Sequence, residues 1–211
     1  GLNAKVAIMP AVVNISQVSA IVALPNAAIS TDDHFTLKIQ GHVDDWRSKP
    51  LVTLQNVKTS QISLPLLASM VPWEKLGQSA KPVKEILDAG GFITIDALSL
   101  FAIDLSKLPQ DLKNLLPRVR LVTSLTDITV PRGLSPTKVE GITGRVNLEN
   151  NILVAENVHS RLGAIALPIL NIRATDVADH FKLAFRAKGP LLVAAADDEQ
   201  VEKLLLKYGL K

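Results

Sequence analysis

The sequence contains no cysteine among its 211 residues. That absence excludes disulfide bonds, thiol chemistry and thiolate metal sites. Aromatic residues make up only 4% of the chain, with a single tyrosine, so stacking platforms for single-stranded nucleic acid are not expected. No apolar run reaches the length of a membrane-spanning helix, because Pro10, Pro25 and Pro168 interrupt the longest candidates. Since there is also no initiator methionine and no signal peptide, we expect a soluble region excised from a longer exported protein.

The composition is apolar but only mildly charged. Hydrophobic residues make up 47% and charged residues 20% of the chain, and the formal net charge is +3. The 23 basic residues are scattered, so nucleic acid is not an expected partner. A chain of this length can bury roughly 70% of its unfolded surface, so it can fold without disulfides or structural metals. The apolar content indicates that some hydrophobic surface remains after the core is filled.

The dominant pattern is period-two alternation, which is typical of strands with one covered face and one solvated face. In residues 35–43, one face is formed by Phe35, Leu37, Ile39, Gly41 and Val43. In residues 181–188, one face is formed by Phe181, Leu183, Phe185 and Ala187. Residues 92–105 are predicted to form a single strand with one side made of Ile93, Ile95, Ala97, Phe101, Ile103 and Leu105. At about 3.3 Å per residue this strand would span roughly 46 Å, which predicts a tall, curved sheet.

Further strands are predicted over 4–9, 12–23, 50–63, 118–130, 138–148, 152–160 and 164–174. Glu149-Asn150-Asn151 suits a tight hairpin because Asn tolerates positive φ, and Arg161-Leu162-Gly163 offers the next reversal. Residues 138–188 are therefore predicted to form a meander. Between Leu125 and Ile128 the apolar parity changes, which predicts a β-bulge.

Helices are predicted to be few and short. One runs from about 197 to 208, with Asp197 and Gln200 as a capping pair and Gly209 as its stop. Two others follow Leu-Pro pairs, over 66–88 in broken pieces ending at Gly90-Gly91, and over 109–116. The expected fold is mainly β: a long, curved antiparallel sheet forming a groove or open, barrel-like half-pipe, with short helices that include one at the C-terminus.

A weak internal repeat near 143 residues suggests how the chain is organised. Residues 12–19 resemble 153–160, residues 22–25 resemble 165–168, and residues 33–37 resemble 179–183, in the same order. The alternative is chance likeness between β-hairpins. With a true repeat, residues 1–211 form a single β-rich segment of a larger repeat protein, with a boundary near 140–150 and an incomplete second repeat.

Catalytic and metal-binding patterns are not found. The sequence has no phosphate-binding glycine motif and no nucleophile elbow, and Gly90-Gly91 precedes a strand rather than a helix. His34 and His42 share a strand face but lie about 26 Å apart along the strand, too far for one metal ion. We therefore expect no enzyme, no cofactor and no metal site, and we interpret Trp46 and Trp73 as packing residues.

A hairpin-forming segment carries a family resemblance. Gly141-Ile142-Thr143-Gly144-Arg145-Val146-Asn147-Leu148 with residues 152–163 resembles repeats of the bacterial AsmA-like family, the TamB- and YhdP-like bridge-type lipid transfer proteins. So does Leu64-Pro65-Leu66-Leu67 with a helical insertion that returns at 90–95. The resemblance implies a periplasmic β-groove with an apolar floor, anchored in the inner membrane by a segment absent from this sequence. It implies phospholipid carried toward the outer membrane.

An apolar sheet face could hold acyl chains without specific chemistry, at about 0.8 kcal/mol per buried methylene. The candidate floor residues are Phe35, Leu37, Ile39, Ile93, Ile95, Phe101, Ile103, Phe181, Leu183 and Phe185. Two alternatives stay open. These side chains could fill the core of an ordinary β-sandwich, and the chain could instead be a non-catalytic envelope scaffold that binds proteins through its strand edges.

Overall fold

The structure, a computed structural model, describes residues 2–23, 34–71, 73, 81–104, 115–132, 138–163, 165–176, 182–189 and 192–193. The first part of the chain forms β1 (Leu2–Ile8), β2 (Val12–Ala23), β3 (His34–Asp44), β4 (Leu51–Thr59), β5 (Ile62–Ser63), α1 (Leu64–Met70) and α2 (Lys81–Asp88). The second part forms β6 (Phe92–Asp104), a 3-10 turn at Leu116–Arg118, β7 (Val119–Val130), β8 (Val139–Glu149), β9 (Ile152–Leu162), β10 (Ile165–Ala166), β11 (Ile169–Thr175), β12 (Lys182–Lys188) and β13 (Leu192–Val193).

All of these strands belong to one antiparallel sheet. Its order is β1-β2-β3-β4-β6-β7-β8-β9, followed by β11 and β12, with the short strands β5, β10 and β13 attached beside it. Neighbours in the sheet are mostly neighbours in sequence, and the described strands do not close into a barrel. The prediction of a mainly β chain with a large antiparallel sheet is therefore confirmed. The predicted helix over 197–208 and residue Phe181 lie outside the described residues.

The predicted meander from 138 onward is confirmed by its turns. Glu149 pairs with Ile152, and the two residues between them, Asn150 and Asn151, have φ of 50° and 62°. Such a two-residue turn with positive φ matches the twist of its flanking strands. The reversal after β9 uses Gly163, at φ 60°.

Register shifts bend the sheet at several strands. The predicted bulge between Leu125 and Ile128 is confirmed by a shift against β8, and Asp127 inside it has φ 53°. Another shift lies on β2 between Ile15 and Val18. Because bulges increase local twist and bend a strand, these shifts are the physical source of the sheet's curvature.

Two bulges on β6 correct the prediction for residues 92–105. The register against β7 shifts between Ile95 and Ala97, and the register against β4 shifts between Leu100 and Ile103. Each shift changes which side of the strand the following residues face. Ala97 and Phe101 therefore lie on the opposite face from Ile93, Ile95 and Ile103, and the prediction that they share one face is wrong.

Two predicted strands are interrupted. The one over 50–63 breaks at Ser60, whose N–H donates to the carbonyl of Thr36, and it continues as β5. The one over 164–174 breaks at Pro168, which has no N–H to donate, so β10 and β11 flank the break and both pair with β9.

The predicted helical insertion between β5 and β6 is confirmed in two pieces. Ser63 accepts a hydrogen bond from the Leu66 N–H over 3.2 Å as the N-cap of α1, and Pro65 lies in its first turn. On return, Gly91 has φ 111° and lies so close to β7 that a Cβ would be 2.6 Å from the Ile128 Cα. None of the described helices is long and apolar enough to cross a membrane.

The hydrophobic core lies where α1 packs on the sheet. Phe35, Ile62 and Leu66 form a buried cluster, against which Leu37 and Ile93 are partly packed. This cluster is small for a chain of 211 residues. Most apolar strand residues elsewhere in the described sheet are only partly buried.

The proposed internal repeat has one structural parallel and one difference. The bulge on β2 falls at residues 16–17, and the bulge on β9 falls at residues 157–158, which is the matching position in the sequence comparison. However, β2 pairs directly with β3, whereas β11 separates β9 from β12. The repeat remains a prediction.

Candidate functional site

The most distinctive feature of the described sheet is one face that carries no charged side chain. Residues directly opposite each other in neighbouring strands share a face, so the face can be followed in rows. One row crosses seven strands through Val57, Leu98, Leu121, Leu148, Leu153, Ala174 and Leu183. A second crosses six strands through Ile95, Thr123, Val146, Ala155, Ile172 and Phe185. A third crosses the other half through Val6, Ile15, Gly41, Leu54, Leu100 and Val119.

We call the side of the sheet that contains these rows the apolar face. It spans ten long strands, β1 to β12 without the short β5 and β10. At about 4.8 Å between strands and 3.3 Å per residue, it measures about 43 Å across and about 36 Å along an 11-residue strand. Continuous apolar patches on soluble monomers seldom exceed a few hundred Å². A face of this size therefore needs an apolar partner, whether a part of the protein or a ligand.

Within the described residues that partner is small. Helix α1 packs Leu66 and Leu67 on this face beside Phe35 and Ile93. Every described strand belongs to the one sheet, and Val57, Ala155 and Ala174 in the apolar rows are buried. Along the middle, Leu98, Leu121 and Leu148 are half-buried by their neighbours.

The outer strands expose the apolar face most. Leu183 and Phe185 of β12 are 57% and 74% exposed, and Leu2 and Ile8 of β1 are 75% and 70% exposed. These four side chains point to the same side as the buried Phe35, through the register of the intervening strands.

The structure brings most of the predicted floor residues to this face. Seven of them have apolar or threonine partners directly across a strand on the apolar face: Phe35, Leu37, Ile39, Ile93, Ile95, Leu183 and Phe185. Ile103 also lies there, opposite Val52, but is buried. Phe101 lies on the other side and is 41% exposed.

Charge is confined to the opposite side, which we call the polar face. One row there runs through Ser99, Arg120, Glu149, Ile152, Thr175 and Lys182, and another through Thr94, Ser124, Arg145 and Glu156. Arg120 and Glu149 form an ion pair across β7 and β8. Just before β8, Lys138 bonds to Glu140 and lowers the pKa of that carboxyl below its usual value. The two faces therefore differ in chemistry across the whole sheet.

Sequence reasoning missed the middle of the apolar face. Leu121, Leu148 and Leu153 lie in predicted strands. The period-two pattern could have identified Leu148, which stands between Asn147 and Glu149, but Leu153 stands between Ile152 and Val154, where the pattern does not set a face. Comparison of the chain with protein-family models, with curated proteins and with solved structures gives no match. Function is therefore inferred from the chemistry of the two faces.

Proposed function

We propose that this chain holds acyl chains of lipid, in the first instance phospholipid, on its apolar face. One observation supports the proposal above all. A row of directly opposed apolar side chains crosses seven strands, from Val57 to Leu183, with no charged residue in it. The row ends on the edge strand β12 at Leu183, which is 57% exposed.

The physical mechanism needs no catalytic group. An acyl chain laid on the face removes its methylenes from water, at about 0.8 kcal/mol each, together with the apolar side chains beneath it. The contact is non-directional, so it tolerates chains of different length and allows them to slide along the strands. Where the bulges curve the sheet around its apolar side, the face becomes a groove, and the charged head group stays in water at its rim.

The cellular setting follows from the resemblance to the AsmA-like family. In that setting the chain is one segment of a periplasmic protein anchored in the inner membrane. Its groove conducts phospholipid between the inner and outer membranes. Bound lipid is cargo rather than substrate, and the segment is non-catalytic.

Two substitutions on neighbouring residues of β12 test the proposal. Phe185→Asp places a charge on the apolar face, while Ala184→Asp places the same charge on the polar face, and both positions are exposed. We expect Phe185→Asp to weaken binding of a fluorescent fatty acid at least about tenfold, because an acyl chain there would desolvate the carboxylate. Ala184→Asp should bind as the parent does. Equal binding by all three proteins would refute the proposal.

The edge strand β1 favours a second function, that of a scaffold which binds another protein by strand addition. All seven residues of β1 are exposed, and Lys5 is its only charged residue. By contrast, the edge strand β12 carries Lys182, Arg186 and Lys188, and such charges discourage edge pairing. A photo-crosslinker at Asn3 on β1 should then capture one defined protein in cells, and one at Ala184 on β12 should not.

A further inference from the structure

The polar face contains an open depression where the pairing of β4 with β6 is interrupted. Direct pairing of the two strands ends at Val57 with Leu98, and β6 is paired on that side again only where Ile62 and Ser63 of β5 meet it. Between these points the Thr59 Oγ1 accepts a hydrogen bond from the Ile95 N–H over 3.0 Å. The Thr59 side chain thus takes the place of a backbone carbonyl as the hydrogen-bond acceptor. The depression at this seam has a volume of ≈ 450 Å³.

Two cations flank the depression and face each other across it. Lys58 lines it from β4, and Arg145 lines it from β8. Their strands are three strand spacings apart, or about 14 Å, and both side chains are long and flexible enough to lean inward. Within the described part of the chain, neither side chain takes part in a hydrogen bond or an ion pair, although Glu156 lies directly opposite Arg145 in the pairing of β8 with β9.

A third cation, Lys38, adds positive charge beside Lys58. Lys38 lies directly opposite Lys58 in the pairing of β3 with β4. Like charges at directly opposed positions of two strands destabilise the pair. An anionic group bound beside Lys58 would relieve that repulsion.

The floor of the depression carries the opposite charge. Asp96 lies there between the two flanking cations, beside Thr94 and Ser124. The Ser124 hydroxyl donates to Asp96 Oδ2 over 2.7 Å, which leaves Oδ1 free to accept from a ligand. A simple anion would meet the charge of Asp96, and a simple cation would meet Lys58 and Arg145. The arrangement favours a ligand that carries both charges.

We propose that this depression binds a small zwitterion of the aminoalkyl phosphate class. Its phosphate oxygens accept from the Arg145 guanidinium and the Lys58 ammonium, and its own ammonium donates to Asp96 Oδ1. The site lies on the opposite face from the lipid surface and requires no acyl chain. It goes beyond the proposed function and can fail or succeed independently of it.

The test is a titration of the protein, followed by NMR amide shifts, with phosphoethanolamine, inorganic phosphate and ethanolamine in turn. Phosphoethanolamine should shift amides around Thr94 and Ser124 and bind at least about tenfold more tightly than either fragment. Arg145→Gln and Lys58→Gln should each weaken it about tenfold. Asp96→Asn should remove the preference over inorganic phosphate. The matched control is Arg186→Gln, which neutralises a cation of the same face on β12, away from the depression, and should change affinity less than threefold.

Three results would overturn the proposal: no amide shift with phosphoethanolamine, inorganic phosphate bound as tightly by the parent, or the control weakened as much as Arg145→Gln. An unchanged spectrum outside the depression shows that a variant is folded.

The same chemistry occurs in a lipid head group and in a free phosphate ester. Flotation with phosphatidylethanolamine vesicles separates them. Binding that depends on Arg145 identifies a membrane head group as the source, and binding to phosphoethanolamine without vesicle flotation identifies the soluble ester.

Discussion

The apolar face has two regions that share a chemistry and differ in cover. At one end, α1 places Leu66 against Phe35 and Ile62, and all three side chains are more than 90% buried. At the other end, on β12, Phe185 is 74% exposed although the register places it on the same side of the sheet. Apolar side chains alone do not determine which part of this face is buried.

The two regions should differ in what they contribute to stability. Side chains under α1 gain the full transfer free energy of burial on folding, whereas an exposed phenylalanine gains little until something binds over it. We call the part of the apolar face under α1 the covered end, and the part on β12 the open end. Substitutions at the covered end should change folding, and those at the open end should change binding.

The sharpest contrast comes from deleting one phenyl ring at each end. Phe35→Ala should destabilise the protein by about 3–5 kcal/mol, because it leaves a cavity in the buried cluster. Phe185→Ala should change the free energy of unfolding by no more than about 0.5 kcal/mol. Urea unfolding followed by circular dichroism measures both. Similar losses for the two variants would erase the distinction between the ends.

A second comparison tests how the helical insertion is held at the covered end. Gly91 has φ 111° and approaches the β7 backbone, whereas its neighbour Gly90 has φ 98° and open space around the position of a Cβ. Gly91→Ala combines backbone strain with a steric clash and should cost roughly 3 kcal/mol. Gly90→Ala carries only the strain and should cost about 1 kcal/mol. If the two losses measured by urea unfolding are equal, contact with β7 does not position the insertion.

How much of the fold could be predicted from the sequence depends on whether the pattern that sets the face of a strand lies within that strand. The alternation in 35–43 predicts the face of β3 because that strand contains no bulge of its own. On β6 the apolar residues of the apolar face change from odd positions, Ile93 and Ile95, to even positions, Leu98 and Leu100, and back to odd at Ile103. The sequence thus carries a sign of the two bulges, and the predicted face that included Phe101 did not take it into account.

The depression on the polar face was not predictable from the sequence. Lys58, Asp96 and Arg145 lie on three strands and are separated by 38 or more residues, so only the register brings them together. The small size of the buried cluster was also hidden. Leu66 and Leu121 have the same side chain, and only the position of α1 makes one of them core.

The smallest expected effect concerns a surface pair away from the covered end. Lys138 lowers the pKa of the Glu140 carboxyl, so this pair stabilises the fold above the unfolded-state pKa of Glu, and the contribution is lost as pH falls through the lower, folded-state pKa. Lys138→Ala should return the pKa of Glu140 to its ordinary range, with little change in stability, because the pair is exposed. An NMR pH titration of the Glu140 side chain measures this shift. As the control, Lys84→Ala on α2 should leave the pKa of Glu140 unchanged.

The most direct test of lipid binding compares two phenylalanines of opposite faces. A photo-crosslinking amino acid replaces Phe185 on the apolar face in one protein and Phe101 on the polar face in another, both exposed positions. After irradiation in cells, mass spectrometry identifies what each has captured. Lipid joined to residue 185 and not to residue 101 is the predicted result. Lipid at neither position, or equally at both, would contradict the account.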